Sequence, residues 1–292
     1  MKKIGFIGMG IMGLPMATNL LKKSGCDITG FDVFEAARER FAQAGGKTAT
    51  DADEIYCNSD VIFLCLPKNE LVESTVLEII QKARPETVIV DFSSTAPGII
   101  RRLFPKVQEA GMQLLDSPVS GGETGAVAGT LVVMTGGEKA AFDAVEPLLH
   151  CVGGNVTYMG ASGCGAVAKL ANNMIVGCNL ISVGEAYAFA AKAGLDPAVL
   201  FSAIKDGFAQ SAVMDLKVPK ILSRDFTASA RIAVHYKDMK NAMNLADEMG
   251  VEIPMSAIVL DCMKRMEEDG LIDEDQCALV KVFEKDMGVT VK

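Results

Sequence analysis

IGFIGMGIMGLPMATNLL, residues 4–21, decides the fold of this chain, because its 18 uncharged residues admit two opposite readings. Following Lys2 and Lys3, it is long enough for a signal sequence or a membrane span. Glycines at 5, 8, 10 and 13 and a proline at 15 would weaken a single apolar helix, and no small-residue cleavage site of the A-x-A type follows. It therefore reads as a short buried strand, a glycine turn and a helix. Gly8-x-Gly10-x-x-Gly13 falls where the strand KIGFI gives way to the helical pattern from Leu14. Gly8 permits the tight turn, Gly10 lets backbone approach a pyrophosphate, and Gly13 lets helix and strand pack closely. The helix start then offers unpaired N–H groups to phosphates.

Asp32 closes the next strand, DITGFD, 19 residues after Gly13. A carboxylate at that point accepts hydrogen bonds from an adenosine ribose and repels a 2′-phosphate. Val33, Phe34 and Glu35 supply no guanidinium to bind one, so the expected cofactor is NAD rather than NADP. The competing reading is that Asp32 only caps the helix starting near Glu35.

Outward from this segment, short apolar runs alternate with amphipathic stretches as far as NVTYMG at 155–160. Such alternation predicts βαβ units and a mainly parallel sheet covered on both faces. Residues 1–160 hold 19 of the 28 glycines and seven of the ten prolines, so turns concentrate there. From Gly163 to about Ala193 there is no proline, and Val167, Leu170, Met174, Cys178, Ile181 and Glu185 recur every three or four residues. That spacing predicts one helix of roughly 46 Å, long enough to link two domains. Helical patterns at 197–206, 231–249, 255–268 and 274–286 follow, with Gly250, Gly270 and Gly288 as stops. The expected organisation is a dinucleotide-binding α/β domain over 1–162 and an all-α domain over 163–292. No further segment is expected to be apolar enough to cross a bilayer.

Composition narrows the function. A net charge of −9 has the wrong sign for holding a nucleic-acid backbone. Eight cysteines without a C-x-x-C pair and only two histidines give neither a disulfide framework nor a metal site, and point to a reducing cytoplasm.

Three further segments carry chemistry. In DSPVSGG, residues 116–122, Gly121 and Gly122 can turn successive backbone N–H groups toward an anion such as a substrate carboxylate, with the Ser120 hydroxyl as another donor. By residue type alone an ordinary turn is an equal reading. Lys169 and Asn173, four apart, share a helix face with Asn172 beside them. An ammonium can give a proton to a carbonyl oxygen as hydride arrives, and an amide can hold that oxygen or the lysine in place. Without other context such residues are more often solvated surface. The same holds for Lys237 and Asp238 in HYKD, which read by charge alone as a solvated face.

Together these segments resemble the β-hydroxyacid dehydrogenase family, which includes 3-hydroxyisobutyrate dehydrogenase and tartronate semialdehyde reductase. GFIGMGIMGLPMATNLLKKSG looks like its dinucleotide signature, DSPVSGGETGAVAGTLVVMTGG like its substrate segment, and GCGAVAKLANN like its catalytic segment. The resemblance implies an N-terminal Rossmann doubly wound sheet joined by a long helix to an all-α domain of the 6-phosphogluconate dehydrogenase type. It implies homodimers or homotetramers. Lys169 would be the acid/base and Asn173 its substrate-orienting partner, with Ser120, Gly121 and Gly122 gripping the carboxylate. The cofactor would meet Gly8, Gly10, Ile11, Met12, Gly13 and Asp32. LPKN at 66–69 and SST at 93–95 are similar to two cofactor-contacting loops, which adds Leu66, Pro67 and Thr95. HYKDM resembles the segment whose lysine, Lys237 here, approaches the nicotinamide and substrate end.

The expected activity is NAD-dependent interconversion of a small β-hydroxyacid and its semialdehyde. Alternatives are succinic semialdehyde, 2-(hydroxymethyl)glutarate or a sulfonate aldehyde as substrate, and, outside catalysis, an NAD-binding regulator. The expectation is that 292 residues are too few for the longer helical domain of 6-phosphogluconate dehydrogenase itself, and imine reductases usually lack the lysine that Lys169 supplies.

Overall fold

The computed structural model describes residues 2–292, which divide into two compact units, 2–169 and 170–292. In the first unit the strands are β1 (Lys3–Ile7), β2 (Asp27–Phe31), β3 (Lys47–Thr48), β4 (Val61–Leu64), β5 (Val88–Asp91), β6 (Gln113–Asp116), β7 (Val119–Ser120), β8 (Leu131–Gly136) and β9 (Gly153–Gly160). They form one sheet in the order β3-β2-β1-β4-β5-β6-β8-β7, with β9 beside β8. Every pairing is parallel except those of β8 with β6 and β7. The order runs one way from β1 to β3 and the other way from β4, which places a topological switch point between β1 and β4.

Helices cover both faces: α1 (Gly13–Lys23), α2 (Glu35–Gln43), α3 (Ala52–Asn58), α4 (Asn69–Lys82), α5 (Pro97–Glu109), α6 (Gly122–Ala128) and α7 (Lys139–Val152). Phe6, Phe63, Val90, Phe92 and Leu115 fill the core under one face, where the Phe63 and Phe92 rings stack 5.1 Å apart. Ile62, Leu64, Ile89 and Leu114 fill the core under the other. A strand buried on both sides is apolar along its length, which is why VIFL and the VIV of β5 show no alternation. The doubly wound sheet matches the sequence reading. The additions are β3 and β7, two residues each, and the seven-residue α3 and α6, all too short to show a period.

The helix α8 (Cys164–Lys192) runs from the end of the first unit into the second. The remainder of the second unit is α9 (Pro197–Ile204), α10 (Ala212–Leu222), α11 (Ile232–Met249), α12 (Pro254–Glu268), a 3-10 turn (Gln276–Leu279) and α13 (Val280–Met287). Gly250 and Gly288 end α11 and α13 in the left-handed conformation, as C′ glycines do. α10 escapes the periodicity reading because Pro219 lies inside it, although Ser211 caps its start through Met214 N–H.

The buried stripe of α8 is offset from the periodic positions Val167, Leu170, Met174, Cys178, Ile181 and Glu185. Leu170, Asn173, Gly177, Leu180, Ile181, Gly184, Tyr187 and Ala188 are buried, whereas Met174 and Cys178 are half-buried and Glu185 is exposed. Gly177 and Gly184 explain the shift, because a Cβ at either would stand 2.7 Å from Val259 or 3.1 Å from Phe283. The expectation about apolar segments also needs correction. Among the described residues α8 is one helix long and apolar enough, by length and composition alone, to cross a membrane. Its alanines and aliphatic residues raise its hydropathy, yet Leu180, Ile181, Tyr187 and Ala188 belong to the cores of the second unit.

Candidate active site

The three glycines of the first loop have three separate physical reasons. Gly8 has φ 91°, and a Cβ there would lie 2.3 Å from the carbonyl of Cys65. At Gly13 a Cβ would lie 1.9 Å from the carbonyl of Gly8, so only glycine lets α1 start against the strand end. At Gly10 a Cβ would meet nothing within 4 Å. That open space is what the approach of a pyrophosphate to the backbone needs. Ile11, 60% exposed, and half-buried Met12 complete the turn into α1.

Asp32 is buried beside this loop. Its Oδ2 accepts the Met9 N–H at 2.6 Å and its Oδ1 the Phe34 N–H at 2.9 Å. The capping alternative does not hold, since α2 is preceded by Phe34 as its N-cap and receives no side-chain cap. The carboxylate instead braces the glycine loop and, with about four lone-pair sites, retains acceptor capacity for a hydroxyl. Sequence reading missed Arg38, whose guanidinium reaches back to the carbonyls of Asp32 at 2.6 Å and Val33 at 3.4 Å. It lies one helical turn into α2, three residues past Glu35.

Leu66 and Pro67 follow β4, and the Leu66 N–H is held by the Ser93 hydroxyl at 2.8 Å, which ties the loops after β4 and β5 together. Thr95 is buried with its hydroxyl donated to Asp91 at 2.6 Å. All these loops leave the C-terminal ends of parallel strands around the switch point, where open α/β sheets bind ligands. Ser120 ends β7, paired with Val132 on β8. Gly121 and Gly122 follow at φ 134° and 63°, both exposed, and nothing stands within 4 Å of a Cβ on Gly122.

Asp116, first residue of the same segment, is the brace that sequence reading passed over. Its Oδ1 accepts the Gly163 N–H at 2.8 Å and its Oδ2 the Ala166 N–H at 2.7 Å. A buried carboxylate thus caps α8 from another strand, one turn before Lys169. Burial pushes its pKa up to about 6, with neighbouring Asp91 adding to the rise and the two backbone N–H groups opposing it. Gly165 completes the joint, because a Cβ there would lie 2.3 Å from the Asp116 carbonyl. Lys169 itself is half-buried.

In the second unit Asn173 is 9% exposed, and its Nδ2 donates to Asp238 Oδ2 at 2.7 Å. Asn172 Nδ2 donates to Asn173 Oδ1 at 2.9 Å. Asp238 is 1% exposed, and Lys237 lies 3.4 Å from its other oxygen with a side chain 22% exposed. The reading of this pair as a solvated face fails. Charge alone cannot show that α11 turns Asp238 toward a buried amide on α8.

A glycine-loop α/β unit followed by a helical unit on one long helix defines a two-domain nicotinamide dehydrogenase. The family described as the NAD binding domain of 6-phosphogluconate dehydrogenase matches residues 3–160, and that described as NAD-binding of NADP-dependent 3-hydroxyisobutyrate dehydrogenase matches 163–283. The chain is similar to 2-(hydroxymethyl)glutarate dehydrogenase of Eubacterium barkeri, 36% identical over 99% of this chain and 97% of that one. It is 35% identical to 2-hydroxy-3-oxopropionate reductase of Escherichia coli strain K12, over 97% of each. A solved structure of Mycobacterium tuberculosis 3-hydroxyisobutyrate dehydrogenase with L-serine superposes with a TM-score of 0.89 at 30% identity, covering 97% of this chain and 99% of that one. The chain belongs to the β-hydroxyacid dehydrogenase family and is an NAD-dependent oxidoreductase.

Proposed function

We propose that this enzyme interconverts a small carboxylate-bearing β-hydroxyacid and its semialdehyde, with Lys169 as acid/base. When bound, the nicotinamide supplies or accepts the hydride. As a carbonyl becomes an alkoxide, the Lys169 ammonium donates a proton to that oxygen; in the reverse direction the neutral amine removes it. Asn173 orients the same oxygen with the amide N–H that Asp238 does not take. Ser120, Gly121 and Gly122 hold the substrate carboxylate, and Lys237 supports the reacting end. Asp32 reads the ribose. The observation that carries the reading is the buried Asn173–Asp238 hydrogen bond one helical turn beyond Lys169. A buried amide and carboxylate add little to packing and cost stability unless paired, so their placement argues for use.

Room for a carboxyethyl group on the α-carbon would admit 2-(hydroxymethyl)glutarate, the substrate named for one relative. The test is a panel of 3-hydroxyisobutyrate, 3-hydroxypropionate, glycerate, 4-hydroxybutyrate and 2-(hydroxymethyl)glutarate, followed by reduced-cofactor absorbance with NAD. Turnover of at least one acid supports the reading. NAD binding without turnover of any would favour a regulator.

We also propose a homodimer or homotetramer in a reducing cytoplasm. Exposed Phe189 on α8 and Phe208 beyond α9 are apolar surface that association would cover, and the cysteines are thiols, not disulfides. Light scattering in solution tests the assembly.

A further inference from the structure

We infer that His235 is a positioning residue that locks Asn173, through the backbone of α8, into the orientation the reaction needs. The inference rests on the proposed role of Asn173. His235 is 1% exposed in the first turn of α11, and its Nε2 lies 2.8 Å from the carbonyl oxygen of Asn173. A carbonyl only accepts, so Nε2 carries the proton. Nδ1 is then the acceptor, and Gln276 Nε2 stands 3.1 Å from it. Gln276 opens the 3-10 turn directly after Asp275, which gathers Lys217, Ser229, Ala230 and Cys277 N–H. The tautomer is thereby fixed from behind by a rigid turn.

The carbonyl of Asn173 lies inside α8, where an α-helix already supplies it with the N–H four residues on. The histidine bond is therefore a second bond to a satisfied acceptor. Gly177 lies beside this bond and is required by the packing of α12, since a Cβ there would stand 2.7 Å from Val259 Cγ1. His235 and Asp238 are three apart on α11 and so share a face. One holds the Asn173 backbone and the other its side-chain amide. Two grips on one residue fix both its position along α8 and its side-chain torsions, which neither does alone.

The sequence has only two histidines, His150 and His235, so a 15N spectrum of labelled imidazoles contains two rings. His150 is exposed and His235 is not. The expected spectrum shows the buried His235 ring locked as the Nε2–H form, which Gln276→Leu loosens. A buried ring in the Nδ1–H form would overturn the inference. Kinetically, His235→Met removes the donor at similar size and His235→Gln restores an amide N–H near the Nε2 position. With the best acid of the panel above, His235→Met should lower kcat at least tenfold while KM and NADH affinity stay within about twofold, and His235→Gln should recover most of the loss. Equal kcat in the two variants, or wild-type kcat in His235→Met, overturns the inference. Should His235→Met fail to fold, the imidazole spectrum and His235→Gln decide. Asn173→Ala is measured alongside: if it keeps full kcat, the role of Asn173 falls, and if it alone loses activity, only the role of His235 falls.

Discussion

Asn173 on α8 and Asp238 on α11 share a 2.7 Å hydrogen bond while being only 9% and 1% exposed. The bond uses one of the two N–H groups of the amide, and Lys169 stands four residues earlier on the same helix. Removing either partner leaves a buried polar group unsatisfied, at a cost of about 1–3 kcal/mol. The second unit thus holds a polar pair in which each partner satisfies the other.

Cofactor choice tests Asp32. Its carboxylate should give NAD at least about a tenfold higher kcat/KM than NADP, equivalent to about 1.4 kcal/mol. Asp32→Ser should narrow the gap, since repulsion goes while Arg38 remains at the carbonyls of residues 32 and 33. Steady-state kinetics with both cofactors check this, and equal efficiency in the wild type would show that Asp32 does not read the ribose.

Gly122 tests the carboxylate grip. Its φ of 63° disfavours other residues, but the space beside it is open, so Gly122→Val should fold with a modest stability loss. KM for the acid should rise at least tenfold, with NADH affinity measured by fluorescence nearly unchanged. A collapse of cofactor binding would assign the turn to the dinucleotide instead.

Asp116 makes stability depend on pH with an unusual sign. Its folded pKa of about 6 lies above the ordinary value of 3.8, so the folded state binds the proton more tightly. Its contribution is most favourable below about pH 4 and is lost as pH rises to about 6, a change on the order of 3 kcal/mol. Urea unfolding of wild type and Asp116→Asn at pH 4.5 and 7 should show the wild type losing more stability across that interval. Parallel behaviour of the two would refute the shift.

Lys217 and Asp275 form a buried pair at 2.8 Å, with side chains 12% and 0% exposed. Burial alone would raise the Asp275 pKa, but the Lys217 hydrogen bond, the Cys277 N–H and the Ser229 hydroxyl outweigh it and hold it far below the usual carboxylate range. The stability this gives is present above about pH 4 and is lost as pH falls. Lys217→Met should cost about 3–5 kcal/mol by leaving the carboxylate unpaired, read as a lower urea midpoint at pH 7. An unchanged midpoint would show that the other donors suffice.

The parts legible in the sequence were those encoded locally. The glycine loop declares itself through spacing, and KIGFI, VIFLCL and TVIVDF through apolar runs that only a doubly covered sheet explains. Long-range partners left no such mark. Asp116 reaches Gly163 across 47 residues and His235 reaches Asn173 across 62. Asp238 looked solvated because a charge beside a lysine carries no sign of the helix it faces. On α8 the helix was visible but its buried stripe was displaced, since Gly177 and Gly184 bury themselves by being small and not by being apolar.

Lys169 remains the centre of the account. The most direct test mixes enzyme loaded with NADH against the semialdehyde of the best acid and follows loss of the reduced-cofactor absorbance in a single turnover. Lys169→Ala should fold, bind NADH with wild-type affinity and slow that step at least about a hundredfold, within the range typical of general acid catalysis. Lys169→Arg should not restore it, because a guanidinium yields its proton poorly and has a different shape. A Lys169→Ala enzyme whose single-turnover rate stays within a few-fold of wild type would contradict the assignment.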